Sequence, residues 1–309
     1  MELFEKLTSE IGKVIFGKDD VVTLLVSTML AGGHALIEDL PGTGKTMLAK
    51  TLAAACGGDF KRIQCTPDLM PSDVTGLNIY NPRENDFRLV KGPVFSNVVL
   101  ADEINRATPR TQSSLLEAME ERQVTIDGVT LALPDFFILV ATENPIETTG
   151  TYPLPEAQLD RFMTKLSMGG MDARDEKKVI DHHISGNPIE NVQAVTSPEE
   201  ILAAREKIRA VYVHEAVKDY VTSLAAATRE SGRITVGVST RAVLGILRLA
   251  QAYAYIHDRD YVTPDDIKYL MPYAWGHRIT YFGGAAKGSE LIAEATAQVE
   301  VPNEDWKTN

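Results

Sequence analysis

The chain has 309 residues, of which 44% are hydrophobic and 24% charged, and its net charge is −12. This is the composition of a soluble globular protein of one large or two ordinary domains, and the acidic surplus disfavours contact with phosphate backbones, so no nucleic-acid partner is expected. No run approaches the ~18 apolar residues of a membrane helix and the first residues lack a signal-peptide pattern, so a cytoplasmic protein without membrane insertion is expected.

Helix-spaced apolar positions predict helices over Phe4–Phe16 and Asp19–Ala31, with a break at Gly17. His34–Glu38 is a short apolar run. It leads into Pro41-Gly42-Thr43-Gly44 and then a helical pattern over Lys45–Ala55, which reads as strand, loop, helix. Phe60–Cys65 and Asn97–Ala101 read as further strands, and Pro109–Arg122 as a helix with proline where it is tolerated. Phe136–Ala141 and Phe162–Ser167 complete five strands. Apolar strands alternating with helices predict a parallel sheet covered on both faces. Two hairpins interrupt it, one within 76–94 and one within 123–133 that pivots on Asp127-Gly128.

Beyond about residue 170 helical patterns dominate: Arg174–Ile184, Pro198–Val211, Glu215–Glu230, Thr240–Ile256 and Pro264–Ala274. The boundary falls near Gly186-Asn187-Pro188, giving a core of residues 1–185 and an all-helical domain of residues 186–309 that ends in a mobile tail, Val301–Asn309. Cys56 and Cys65 have neither CxxC nor metal spacing and read as reduced thiols. Adjacent His182 and His183 point apart on a helix and so do not read as a metal pair.

The segment Asp39-Leu40-Pro41-Gly42-Thr43-Gly44-Lys45-Thr46 matches a phosphate loop at every position but the first. Gly42 and Gly44 let backbone N–H groups turn inward around phosphates, and the helix start at Lys45 adds its positive end. Lys45 supplies charge for the β and γ oxygens, and Thr46 a hydroxyl for Mg²⁺. Asp39 stands where glycine is usual; it tolerates positive φ better than most residues, and its carboxylate has to point away from the phosphates. The strand Val98–Ala101 ends in Asp102-Glu103, which would face the same crevice at the C-terminal sheet edge. Asp102 would hold Mg²⁺ and Glu103 would polarise the attacking water. Phe136–Ala141 ends in Thr142-Glu143-Asn144-Pro145, where Asn144 either orients that water or closes an Asx turn.

These features in this order resemble the AAA+ ATPases. Two longer stretches, Ala101–Gln112 continuing to Glu121 and Thr142–Pro145 followed by Gly150–Phe162, look like the MoxR family within them, as does Thr66–Asp73. The resemblance covers almost the whole chain. It implies an α/β P-loop fold with a five-stranded parallel sheet of order 5-1-4-3-2, sandwiched by helices and followed by a helical lid. It assigns Asn144 as sensor 1, Arg161 as an arginine finger acting on a neighbouring subunit's ATP, and Arg241 on the lid as sensor 2. It places Ile15, Phe16 and Gly17 near adenine and counts Pro41, Gly42, Thr43, Gly44, Lys45, Thr46 and Met47 as nucleotide-binding. The hairpin at 76–94 matches a pore-facing insert. Glu143, where glutamine is usual, and Thr148-Thr149, in place of a more polar pair, depart from the family pattern. Each arginine also has a plain structural reading: Arg161 as an ion pair with Asp160 or Glu156, Arg241 as a surface residue at a helix start.

The implied protein is an ATP- and Mg²⁺-dependent remodelling machine working as a homo-oligomeric, hexameric ring. Its partner would be a von Willebrand factor A domain protein or a metalloenzyme undergoing maturation. The alternative is an ATP-binding scaffold with slow hydrolysis that controls partner assembly.

Overall fold

The computed structural model describes residues 2–146, 150–281, 288–303 and 306–307. Helices α1 (Glu2–Gly12) and α2 (Asp19–Leu30) lead to β1 (Ala35–Glu38), α3 (Lys45–Ala55) and β2 (Phe60–Gln64). A short α4 (Pro71–Thr75) opens the hairpin β3 (Gly76–Asn81) and β4 (Asp86–Lys91). Then come β5 (Val98–Asp102), α5 (Pro109–Glu121), the hairpin β6 (Gln123–Ile126) and β7 (Val129–Ala132), β8 (Ile138–Glu143), α6 (Glu156–Leu159) and β9 (Thr164–Leu166). The remainder is α7 (Ala173–Ser185), α8 (Pro198–Arg209), α9 (Glu215–Glu230), β10 (Ile234–Val236), α10 (Thr240–Ile256), α11 (Pro264–Trp275), β11 (Thr280–Tyr281) and α12 (Gly288–Thr296).

The main sheet has the order β2-β5-β8-β1-β9, and every pairing in it is parallel. This is the expected 5-1-4-3-2 order read from the opposite edge. Alternation along each strand divides the core into two layers. Val98 and Leu100 of β5 join Leu7, Leu25 and Leu48 of α1, α2 and α3 on one face. Val99 and Ala101 join Leu115 and Leu116 of α5 on the other. Every residue of β5 is buried, as a strand covered on both sides requires.

Some boundaries differ from expectation. The first helix ends at Gly12, not Phe16, and β8 starts two residues late, because Phe136 and Phe137 pack into the core ahead of the ladder rather than within it. Among the C-terminal helices, β10 and β11 pair antiparallel, a contact too short to leave a periodic signal. Both cysteines are buried and free, and burial pushes each thiol up to about 12. Thr148 and Thr149 lie outside the described residues, as do the side chain of His183 and much of the tail. Among the described residues no helix is long and apolar enough to cross a membrane.

Candidate active site

The phosphate loop joins the C-terminal end of β1 to the start of α3. Gly42 and Gly44 have φ values of 82° and 90°, the left-handed region in which a side chain is strained. Gly44 is also the residue immediately before α3, whose first N–H groups have no partner within the helix. Asp39 does not need positive φ, contrary to the expectation at that position. Its carboxylate is turned toward the end of β9, where it accepts from the Gly169 N–H (2.7 Å) and the Ser167 hydroxyl (3.2 Å) and also takes the Leu40 N–H (2.7 Å). It therefore anchors the loop without facing its concave side.

Lys45 is buried and donates to the carbonyls of Asp39 (2.6 Å) and Leu40 (3.2 Å). Burial holds its ammonium below the ordinary value, with Asp39, Asp102 and Glu103 pulling the other way. A buried cation whose partners are backbone carbonyls at the mouth of an N–H-lined loop fits a polyphosphate. Thr46, half-buried one residue on, offers its hydroxyl at the same helix start.

Asp102 ends β5 and Glu103 follows it, and both are held in place by neighbouring strands. Thr142 on β8, fully buried, donates to Asp102 Oδ1 (2.7 Å) and accepts the Glu103 N–H (2.8 Å). Arg62 on β2 grips Asp102 Oδ2 through Nε (3.0 Å) and Nη2 (2.6 Å). Gln64, also on β2, donates to Glu103 (3.0 Å), as does Arg106 (2.9 Å). Glu103 has φ 57°, so it sits in the left-handed region without being glycine, which is strain of a kind common at functional sites. Thr46 at the start of α3 and Asp102 at the end of β5 are the oxygen ligands that could hold Mg²⁺ at this edge, and Asp102 is paired with Arg62. Among the described residues no group of three or more His, Cys, Asp or Glu side chains forms a separate metal cluster.

Asn144 is buried, and its side-chain oxygen accepts the Ile146 N–H (3.2 Å), an Asx-type turn before Pro145. Glu143 beside it is raised to about 6 by burial, against the pull of Lys165. Next to the loop, Ile15, Phe16, Gly42, Thr43, Gly44 and Met47 line an apolar cavity of about 110 Å³ with Met168, Met171 and His182. The Phe16 and His182 rings lie 4.9 Å apart there. Gly17 is not on that wall; it makes the turn (φ 63°), and a Cβ there would collide with Asp175.

Arg161 and Arg241 lie elsewhere. Both line a cleft of about 860 Å³ with Gly32, Gly33 and His34, which precede β1, whereas the phosphate loop follows β1. The four residues of β1 separate the two edges by roughly 13 Å at the ordinary rise per residue. Arg161 donates to the Leu116 carbonyl (2.9 Å) and makes neither ion pair of its plain reading. Arg241 pairs with Glu120 (2.6 Å) and lies 3.9 Å from Asp160. The structure thus brings Lys45, Thr46, Asp102, Glu103 and Asn144 to one sheet edge, and Arg161 and Arg241 to the other. Arg62 and Gln64 carry no motif that would single them out in the sequence; Thr142 opens the Thr142–Pro145 stretch, in which only Asn144 is given a role by the sequence.

The profile described as "ATPase family associated with various cellular activities (AAA)" matches residues 34–164, and that of the AAA lid domain matches residues 226–301. The chain is 45% identical to the uncharacterized protein YeaC of Bacillus subtilis, over 97% of this chain and 95% of that one. It is 39% identical to the chaperone MoxR1 of Mycobacterium tuberculosis, over 89% and 75% of the two chains, and 30% identical to the protein MoxR of Methylorubrum extorquens, over 87% and 85%. A crystal structure of a Cytophaga hutchinsonii protein assigned as an ATPase superposes with a TM-score of 0.91 at 39% identity, covering 97% of this chain and 96% of that one.

Proposed function

The chain belongs to the MoxR family of AAA+ ATPases, and from that premise we propose that it hydrolyses ATP at the edge formed by the phosphate loop and β5, in an assembly in which Arg161 and Arg241 of one copy complete the site of the next. Its chaperone-type ATPase activity follows from the family. The observation that carries it is the separation of the two groups. Lys45 and the carboxylates share one sheet edge, while both arginines line a cleft at the other, out of reach of their own phosphate loop.

Phosphoryl transfer asks mainly for positioning and charge neutralisation. The loop N–H groups and Lys45 hold the β and γ phosphates, and Ile15, Phe16 and Met47 cover the base. Thr46 and Asp102 would hold Mg²⁺, which would supply positive charge against the phosphates. Glu103 takes the proton of the attacking water, and Asn144, whose side-chain oxygen is held in the Asx turn, orients that water through its amide N–H groups. Arg161 from the neighbouring copy stabilises the charge of the transition state, an effect of roughly 10³–10⁵ in rate in other NTPases. A hexameric ring is the expected assembly, with residues 186–309 as the moving lid. The partner is a protein to be remodelled, in keeping with the chaperone named among the relatives; a von Willebrand factor A domain protein or an immature metalloenzyme is the candidate. The net charge of −12 supports a protein partner over nucleic acid.

Glu103→Gln tests the catalytic assignment. It should keep ATP affinity within a few-fold and lower turnover at least about 100-fold, since it removes the base but not the binding groups. Phosphate release and equilibrium binding of a fluorescent ATP analogue measure the two. Robust turnover by this variant would sink the role given to Glu103.

A further inference from the structure

Arg161 occupies a tight turn between α6 and β9, with the Arg161 N–H bonded to the Gln158 carbonyl (3.2 Å). The residues on either side of it are both gripped by the C-terminal helices. Before it, the Asp160 carboxylate accepts the Ser239 hydroxyl at both oxygens (2.9 and 3.0 Å) and faces Arg278 at 3.6 Å. It lies against the start of the 17-residue helix α10, whose positive end favours an anion. After it, the Phe162 carbonyl accepts from His277 Nε2 (2.9 Å) and Arg278 Nη2 (2.5 Å). The Arg278 side chain is only 3% exposed, so it reaches both flanks from within the fold. Ser239 begins α10 and Arg278 follows α11, so the grip comes from two separate parts of the lid.

The Arg161 side chain, by contrast, is tied to the core by a hydrogen bond to Leu116. The lid therefore holds the backbone of the turn while leaving most of the guanidinium's donors for a ligand. Ion pairs and hydrogen bonds are short-ranged and directional, so a shift of the lid moves this turn with it. A misplacement of about 1 Å in a charge-stabilising group is enough to cost on the order of 10² in rate.

We propose that Asp160, Ser239 and Arg278 are positioning residues for Arg161, so that the lid of one copy sets how that copy's arginine meets the ATP held by the next. The inference rests on the reading of Arg161 as acting in trans. It makes the lid more than a cover for its own nucleotide: its placement governs hydrolysis in the neighbour.

The test is a double-mutant cycle on the full-length assembled protein. Asp160→Asn keeps the shape of the side chain but removes its charge. Ser239→Asp keeps an oxygen to cap α10, which now accepts the Ala242 N–H (3.1 Å), but sets a carboxylate against Asp160. Each variant should lower kcat about 10- to 100-fold with KM and ATP affinity within about three-fold. In a background carrying both Arg161→Ala and Arg241→Ala, itself reduced at least about 100-fold, neither should lower kcat further, because neither arginine of that edge, Arg241 lying 3.9 Å from Asp160, is left to position. Losses that multiply in that background, or wild-type kcat in both single variants, would overturn the proposal. If Arg161→Ala itself turns over like the wild type, the trans-arginine reading fails and the proposal falls with it. Melting temperature and assembly size, recorded for each variant, identify one that has lost its fold. Asp160 and Ser239 lie on different elements, so each variant serves as the check on the other.

Discussion

Thr142 shows how much of the site depends on one hydroxyl. It donates to Asp102 and accepts from Glu103, and so holds both carboxylate-bearing residues in register across β5 and β8. Thr142→Val has almost the same shape and supplies neither bond. It should cost about 1–3 kcal/mol of stability, because a buried N–H and a carboxylate oxygen each lose a partner. It should also lower kcat at least ten-fold with little change in ATP affinity, and Thr142→Ser should recover most of the loss. Chemical denaturation and steady-state kinetics on the three proteins check this. Thr142 opens the family-like stretch Thr142–Pro145, but its bonds to Asp102 and Glu103 were not legible, because they cross from β8 to a strand end about forty positions away in sequence. Arg62 and Gln64 were hidden for a related reason: they reach Asp102 and Glu103 from a strand that is a neighbour in space and distant in sequence. Lys45, Asp102 and Glu103 were legible because their chemistry sits in contiguous motifs.

Long helices were read nearly to the residue: Lys45–Ala55, Glu215–Glu230 and Thr240–Ile256 match α3, α9 and α10. Their apolar spacing runs for several turns and their ends are marked, as by the Ser239 cap of α10. The β10–β11 pairing escaped because strands of two and three residues show no period, and its partners lie more than forty positions apart. The hairpin β3–β4 was legible as a hairpin. Its exposed apolar side chains are the structural finding: Leu77, Ile79, Tyr80, Phe87 and Val90 all face solvent, with Tyr80 packed edge-on against Phe87 at 5.5 Å. Such a surface is better suited to gripping a polypeptide than to holding the fold. Phe87→Asp, at a side chain 66% exposed, should shift stability by no more than about 0.5 kcal/mol and leave basal ATP turnover within two-fold. In a Glu103→Gln background loaded with ATP it should retain less partner protein in affinity capture. Undiminished capture would remove the hairpin from the partner-binding surface.

At the scale of the molecule, the parallel sheet and its order follow from the family resemblance, and with Arg161 just before the fifth strand they already set it beside the start of β1, away from the loop at its end, as the pairing of β9 with β1 bears out. The edge on which the C-terminal helices set Arg241 was not readable, because its pairing with Glu120 joins parts of the chain 121 positions apart. On the proposed arrangement, turnover per subunit should rise with protein concentration and level off once assembly is complete, in parallel with particle mass measured by light scattering. A flat dependence from nanomolar to micromolar protein would mean that each copy works alone.

That opposition of edges gives the molecule a polarity. A contact that joins the arginine edge of one copy to the phosphate edge of another uses two different surfaces, so it is head-to-tail and cannot be satisfied by a two-fold pair. On the proposed arrangement an open row of n copies contains n − 1 finished sites and one idle nucleotide at its end. Closure of the row would finish the last site, which would make ring closure itself a step that ATP turnover can count.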